Sequence, residues 1–222
     1  MLGSLVVIEG LDGSGKSTQT DILISNFKNA GIDIKKIKLP DYENKSSTLV
    51  KMYLAGDFGD DPCDVNAYAA SSFYAVDRFA SYSKWKNSYK EGTVIIADRY
   101  TTSNAYHQMV KLPQKEWDEY LCWLEDFEYK KIGIPKPELV IYLDMPVDIS
   151  QELMTGRYDG NEVKKDVHES NISYLQSCRQ AALYAAKMLG WKVIKCAKDG
   201  KPLSIDEISK AIWEYAKTEV LK

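Results

Sequence analysis

L-V-V-I-E-G-L-D-G-S-G-K-S-T-Q, residues Leu5 to Gln19, is the stretch on which the fold turns. Four apolar residues, Leu5 to Ile8, read as a buried strand, and they run straight into Gly10-x-x-x-x-Gly15-Lys16-Ser17 and the start of a helix. Backbone N–H groups can wrap a phosphate chain only where the loop folds tightly around it. Gly10, Gly13 and Gly15 therefore stand where a side chain would block the approach or the dihedrals. The helix that follows aims its N-terminus at the anion, Lys16 reaches the β- and γ-phosphates, and the Ser17 hydroxyl can ligate the Mg²⁺ that travels with a nucleotide. The candidate ATP-binding set is Gly10, Asp12, Gly13, Ser14, Gly15, Lys16, Ser17 and Thr18.

Outside the loop, composition sets bounds. The chain of 222 residues is one domain's worth, long enough for a real core, with the 45% hydrophobic and 27% charged residues of an ordinary soluble globule. A net charge of −3 offers no general attraction to nucleic acid or acidic membranes, so a bound anion has to be held locally. Cys63, Cys122, Cys178 and Cys196 form no C-x-x-C pair, and His107 and His168 have no second ligand at helical spacing, so no zinc site is expected. With no leader ahead of the first strand and no apolar run near the ~20 residues of a membrane span, a cytoplasmic location is expected. Only four of the 29 basic residues are arginine, namely Arg78, Arg99, Arg157 and Arg179. Where lysine serves most basic roles, an arginine marks a need for the planar fork that grips phosphate or a base edge.

Apolar periodicity then lays out alternating helices and strands. A helix over 16–30 carries Ile22, Leu23 and Phe27 and stops at Gly31; a strand over 33–39 ends in Leu39-Pro40. After a short helix closed by Gly56, a long one runs from Asp64 to about Tyr89. Thr93 to Ala97 is a third strand with Asp98-Arg99-Tyr100 at its end, and Lys115 to Lys130 a helix with Trp117, Leu121, Leu124 and Phe127 inward. Leu139 to Leu143 is the fourth strand, followed by a helix from near Pro146 and a polar lid at about 154–166. A helix from Glu169 to Leu189, a strand from Lys192 to Cys196, and a final helix opened by the capping box Ser204-x-x-Glu207 complete the chain. That last helix is expected to bury Ile205, Ile208, Ile212 and Tyr215, and Arg179 to be a solvated surface charge. Strands alternating with helices predict an α/β chain with a parallel sheet covered on both faces. With its P-loop the chain resembles the P-loop NTPases, which implies their three-layer α/β/α fold with a five-stranded parallel sheet of order 2-3-1-4-5. Ligands in such sheets bind at the carboxyl ends of the strands, which gathers the loop, Leu39-Pro40 and Asp98-Arg99 into one crevice.

A GTPase would carry Asn-Lys-x-Asp, but Asn44-Lys45 is followed by Ser46-Ser47. The loop G-L-D-G-S-G-K-S-T-Q, the run F-Y-A-V-D-R from Phe73 to Arg78, D-R-Y-T-T-S-N at 98–104 and I-P-K-P-E-L-V-I-Y-L-D at 134–144 stand in one order along the chain. With these motifs the chain resembles the thymidylate kinases, P-loop nucleoside monophosphate kinases, from about Leu5 to Ala216. The resemblance implies transfer of phosphate from Mg·ATP to dTMP by a single kinase domain spanning 1–222, working as a homodimer. It also implies roles for residues. Asp12 would accept a bond from the sugar 3′-OH, Phe73 stack on thymine, Arg78 bond the base edge with Asn104 nearby, and Arg99 grip the acceptor phosphate. Asp98 would organise the metal shell with Ser17, and Tyr100 and Ser103 line the pocket. Lys16, Asp98, Arg99 and a lid cation, Arg157, make up the expected catalytic set, and Tyr68 to Phe79 is a stretch that could serve the dimer.

The chain departs from that pattern in three places. Its loop carries no arginine, so Arg157, assisted by Lys164 or Lys165, is expected to supply the cation. Tyr42 stands two residues after Pro40, where relatives often have an arginine for the acceptor phosphate, leaving Lys38 or Lys51 to substitute. Tyr106 stands one position early for the tyrosine that helps exclude a ribose 2′-OH, with His107 next. Two other readings stay open here: a kinase for another deoxynucleotide or a deoxynucleoside, and a non-catalytic ATP-binding module.

Overall fold

β1 (Leu5–Gly10) is buried along its whole length and occupies the middle of a five-stranded parallel sheet of order β2-β3-β1-β4-β5. The computed structural model describes residues 2–157 and 171–221; the Arg157 side chain, Lys164, Lys165, His168 and Glu169 lie outside what it describes. β3 (Val94–Asp98) flanks β1 on one side and β4 (Leu139–Asp144) on the other, with β2 (Ile34–Lys38) and β5 (Lys192–Lys195) at the edges. The expected strand order and parallel sense are observed.

Alternation along β1 builds two cores. Val6 and Ile8 face α1 (Lys16–Asn29) and α8 (Ile205–Val220), packing with Leu23, Phe27 and Ile212. Leu5 and Val7 face a larger layer that includes Trp85 of α3 (Ala67–Lys90), Tyr106 of α4 (Asn104–His107) and the alanines of α7 (Ile172–Leu189). Ala181, Ala182, Ala185 and Ala186 carry no bulk beyond Cβ, which lets α7 lie close on that face. The same row that holds Leu5 and Val7 ends in Glu9, a carboxylate with no exposed surface. The short α2 (Thr48–Ala55) packs on α3 and ends at Gly56 in the left-handed conformation.

Several expectations are corrected. In α8 the capping box is present and Ile208 and Ile212 are buried, but Ile205 is 55% exposed because it borders a cleft, and Tyr215 is 40% exposed beside the edge strand, under the Lys192 ammonium. Arg179 is not a free surface charge. It grips Asp144 at the end of β4 with two bonds, Nε to Oδ1 at 2.6 Å and Nη2 to Oδ2 at 3.1 Å. The helix expected over 115–130 is a 3₁₀ turn (Gln114–Glu116), α5 (Trp117–Glu125) and a wider π turn (Asp126–Ile132). Trp117 and Phe127 are only half-buried, with Phe127 stacked on Trp123, and it is Glu128 that points inward with Tyr120, Leu121 and Leu124. α6 (Val147–Arg157) leads into the stretch expected as a lid, of which 158–166 lie outside the described residues, and a two-stranded hairpin, β6 (Ala197–Lys198) with β7 (Lys201–Pro202), precedes α8. Among the described residues no helix is long and apolar enough to cross a membrane.

Phe27 is fully buried, with its ring 4.9 Å from Trp213 across the α1–α8 contact. Phe27→Ala should lower the unfolding free energy by about 3–5 kcal/mol in urea titration. A loss under about 1 kcal/mol would mean that this ring does not hold the two helices together.

Candidate active site

The first three strands end at one edge of the sheet, and the loops that leave them enclose a cleft of about 1050 Å³. Single small-molecule sites usually fall within about 300–1,000 Å³, so the volume accommodates more than one modest ligand. Its floor is the loop 12–18, one end reaches Arg78 and Asn104, and the other reaches Ser204, Ile205 and Ile208.

Two glycines show why the loop has its sequence. A Cβ on Gly13 would stand 2.3 Å from the Ser150 carbonyl oxygen, so α6 leaves no space for a side chain there. Gly15 has open space around it, and its φ of 87° supplies the reason instead: the turn into α1 needs the left-handed conformation. The Ser14 hydroxyl is buried and has no partner among the described residues, as expected of a donor held for an absent oxygen ligand. Of the candidate ATP set only Gly10 stands behind the wall of the cleft, and its carbonyl accepts a bond from the Tyr106 hydroxyl.

Lys16 is 7% exposed and donates to the Leu11 carbonyl at 2.8 Å and to Asp12 at 3.4 Å. Burial, with Arg99 nearby, lowers its pKa. Asp12 also accepts from Arg99 at 2.5 Å. Burial alone would raise the Asp12 carboxyl, but Arg99, Lys16 and His107 outweigh it and hold the group well below the usual carboxylate range. Arg99 takes a positive φ of 70°, a conformation that costs a non-glycine residue strain, and its Nη1 lies 3.2 Å from His107 Nε2 and 3.4 Å from the Tyr106 hydroxyl. Asp98 is 2% exposed and accepts from the Ser17 hydroxyl at 2.7 Å, so the two candidate metal residues meet at the start of α1. Hard oxygen donors next to a phosphate-binding loop suit Mg²⁺ that keeps waters and takes phosphate oxygens as further ligands. Among the described residues no group of three His, Cys, Asp or Glu side chains could hold a metal without them.

Two buried carboxylates organise the segment after β3. Glu9 accepts from the Tyr100 amide (3.1 Å), the Thr102 hydroxyl (2.6 Å), the Ser103 hydroxyl (2.8 Å) and the Tyr106 hydroxyl (2.7 Å). Glu128 accepts from Arg78 through Nε at 2.7 Å and through Nη2, and from the Thr101 hydroxyl at 3.0 Å and the Asn104 amide at 3.4 Å. With Glu128 beside it, Arg78 keeps its charge although 97% of its surface is covered: burial opposes the charged form and the carboxylate more than restores it.

Most of the expected substrate residues therefore come together. Asp12, Arg78, Arg99, Tyr100, Ser103 and Asn104 all line the cleft, as do Lys38, Tyr42 and His107. Phe73 does not: its ring packs 5.5 Å from Phe58 and 6.3 Å from Tyr53, and Tyr74 lines the cleft in its place. Lys51 is an exposed residue outside the lining. Glu9, Glu128 and Asp77 are additions that sequence reading missed. Asp77 accepts from the Asp41 amide (2.8 Å) and the Ser46 hydroxyl (2.6 Å), which folds the loop carrying Tyr42 over the cleft. Glu9 had a legible signal, a carboxylate ending a fully apolar strand. Glu128, one acid among several in a charged helix, had none.

The family model described as thymidylate kinase matches residues 8–208. A thymidylate kinase of Mycobacterium tuberculosis is 28% identical over 183 residues, covering 82% of this chain and 84% of that one. A probable thymidylate kinase of Thermococcus onnurineus is 33% identical, covering 72% of this chain and 75% of its own. The solved structure of a thymidylate kinase from Candida albicans superposes with a TM-score of 0.72 at 24% identity, covering 98% of this chain and 92% of that one, a likeness of fold. A model match along nearly the whole sheet and cleft, with a relative one-third identical over most of both chains, places this chain in the thymidylate kinase family.

Proposed function

We propose that the protein transfers the γ-phosphoryl group of ATP to the phosphate of dTMP, releasing dTDP and ADP. The observation that carries this reading is one continuous cleft in which a phosphate-binding loop and a buried Arg78–Asn104 pocket are joined through Asp12 and Arg99. ATP would lie along the loop, its phosphates on the amides of residues 13–18, with Lys16 turning from the Leu11 carbonyl to a phosphate oxygen. Ser17 and Asp98 are the residues that would hold Mg²⁺, which supplies charge neutralisation to the β- and γ-phosphates.

At the other end, Arg78 and Asn104 meet the base, and Arg99 is the fork for the acceptor phosphate. Asp12 holds Arg99 in place from the same side and offers its remaining lone pairs to the sugar hydroxyl. A nucleoside monophosphate needs no strong general base, because its second pKa near 6 leaves an oxygen ionised at neutral pH. That oxygen attacks the γ-phosphorus in line while the bond to the β–γ bridging oxygen breaks, leaving ADP. A deoxynucleoside would instead present a neutral hydroxyl, and Asp12, the cleft carboxylate paired with Arg99, is held too acidic by Arg99 and Lys16 to take its proton. Catalysis here is the alignment of two anions and the cancelling of their charge by Lys16, Arg99, Mg²⁺ and a cation from the lid.

The same proposal treats the chain as one kinase domain with its lid at about 154–166, acting in the cytoplasm as a homodimer. The exposed Val76 (53%) and Phe79 (51%) on α3 support self-association through that helix.

ADP release should be measured with Mg·ATP and, separately, dTMP, dUMP, UMP, dCMP, AMP and thymidine. Turnover is expected to be strongest with dTMP, weaker with dUMP and absent with thymidine; preference for thymidine, or no acceptor-dependent ADP, overturns the reading. Arg157→Ala should lower kcat by at least about tenfold while the KM for ATP moves little, as for other cations that act on the transferred phosphoryl group. An unchanged kcat removes Arg157 from the mechanism.

A further inference from the structure

Glu128 belongs to no motif in the chain, yet it is wholly buried where the base pocket is built. Its carboxylate has only lone pairs to offer, so every group around it must turn a donor toward it. Arg78 turns its Nε and Nη2 edge, and Thr101 its hydroxyl at 3.0 Å. Asn104 is caught between Glu128 Oε1 at 3.4 Å and the Ser71 carbonyl at 3.3 Å, both of them acceptors. Only the amide NH₂ can face two acceptors, and this leaves Oδ1 as the amide atom available to a ligand. On Arg78, Nη1 has a single long contact, 3.5 Å to the Tyr100 carbonyl, and so is the donor left for the cleft.

The pocket is thereby polarised, with a cationic donor beside an amide acceptor. Thymine and uracil present the complement, a carbonyl oxygen at C4 beside an N3–H. Cytosine presents the opposite at both positions, an amino group beside a bare ring nitrogen. We propose that Glu128 is the positioning residue that sets this polarity, and so makes the site choose a base with a carbonyl beside a ring N–H over one with an amino group beside a bare nitrogen. The inference rests on the reading of the cleft as a pyrimidine monophosphate site and deepens it, because it locates the choice of base in a residue whose carboxylate is described only in contact with protein groups.

The π turn that carries Glu128 gives this role its rigidity. It brings the carboxylate into the core opposite α3, so that one group spans α3, the turn after β3 and α4 at once. In Glu128→Gln the side chain keeps its shape but offers one acceptor and one NH₂. That NH₂ faces donors already turned toward it, so Arg78 and Asn104 lose their common acceptor and are no longer held together with Nη1 and Oδ1 toward the cleft, the Ser71 carbonyl alone being left to orient the Asn104 amide. The base with a carbonyl beside a ring N–H then loses the fixed complement that favours it over the other.

The test is the ratio of kcat/KM for dTMP to that for dCMP, with Mg·ATP saturating, in the wild type, Glu128→Gln and the milder Thr101→Val. Hydrogen bonds of this kind contribute enough that Glu128→Gln should lower the ratio by at least about tenfold, chiefly through the KM for dTMP, with the KM for ATP unchanged. Thr101→Val, which loosens the carboxylate without removing it, should lower the ratio by about threefold. A merely structural role would reduce active enzyme for both nucleotides alike and leave the ratio where it was. Ratios within about twofold of wild type overturn the inference, and Thr101→Val alone decides it if Glu128→Gln does not fold. A wild-type enzyme that does not phosphorylate dTMP overturns the underlying reading as well, and so is told apart from failure of the inference alone.

Discussion

A carboxylate cannot be buried at the end of an apolar strand unless the chain brings donors to it, and Glu9 imposes that condition on this structure. Leaving it unpaired would cost several kcal/mol. The segment after β3 meets the demand by wrapping across the end of β1, so that the Tyr100 amide and the hydroxyls of Thr102, Ser103 and Tyr106 all converge on Glu9. Asp98 and Arg99 lie at the start of that wrap. The same fold that satisfies Glu9 delivers Asp98 to Ser17 and Arg99 to Asp12. The contact of the loop 12–18 with Asp98 and Arg99 thus follows from the solvation of one buried charge.

The charges that face the cleft are arranged differently from those that stay behind it. Glu9 and Glu128 are surrounded by donors and closed off, which makes them fixed supports. Asp12, Lys16 and Arg99 form a chain in which one anion is shared by two cations, with an excess of positive charge on the side that two phosphate groups would enter. Pairing within the protein holds these groups in place, and in the proposed reaction a phosphate of higher charge would take over the bonds that Lys16 makes to its own loop. Preorganised cations of this kind act without having to be gathered at the moment of reaction.

How much of this was legible in the chain differs from residue to residue. The parallel sheet, the loop and the meeting of Asp98 and Arg99 with it were readable because each rests on a local pattern or on the rule that parallel sheets bind at one edge, whereas the strand order was implied by the resemblance to a fold family. Phe73 and Tyr74 show where such reading ends. They are neighbours on one helix, and which of them reaches the cleft depends on α3's rotation against Tyr53 and Phe58. Arg179 read as a surface charge because its partner, Asp144, is 35 residues away and sits at the end of β4.

By itself the sequence determined the alternation of strands and helices, the phosphate-binding loop and the motif set whose resemblance implies the strand order, because spacing of apolar residues and glycines acts over a few residues and survives without knowledge of contacts. Only the tertiary structure decided which polar groups are buried together. Glu9 and Glu128 are ordinary acids on paper, and Lys16, Asp12 and Arg99 are separate positions. Their roles arise from a low-dielectric interior in which each charge must find a partner, and those partners come from distant parts of the chain.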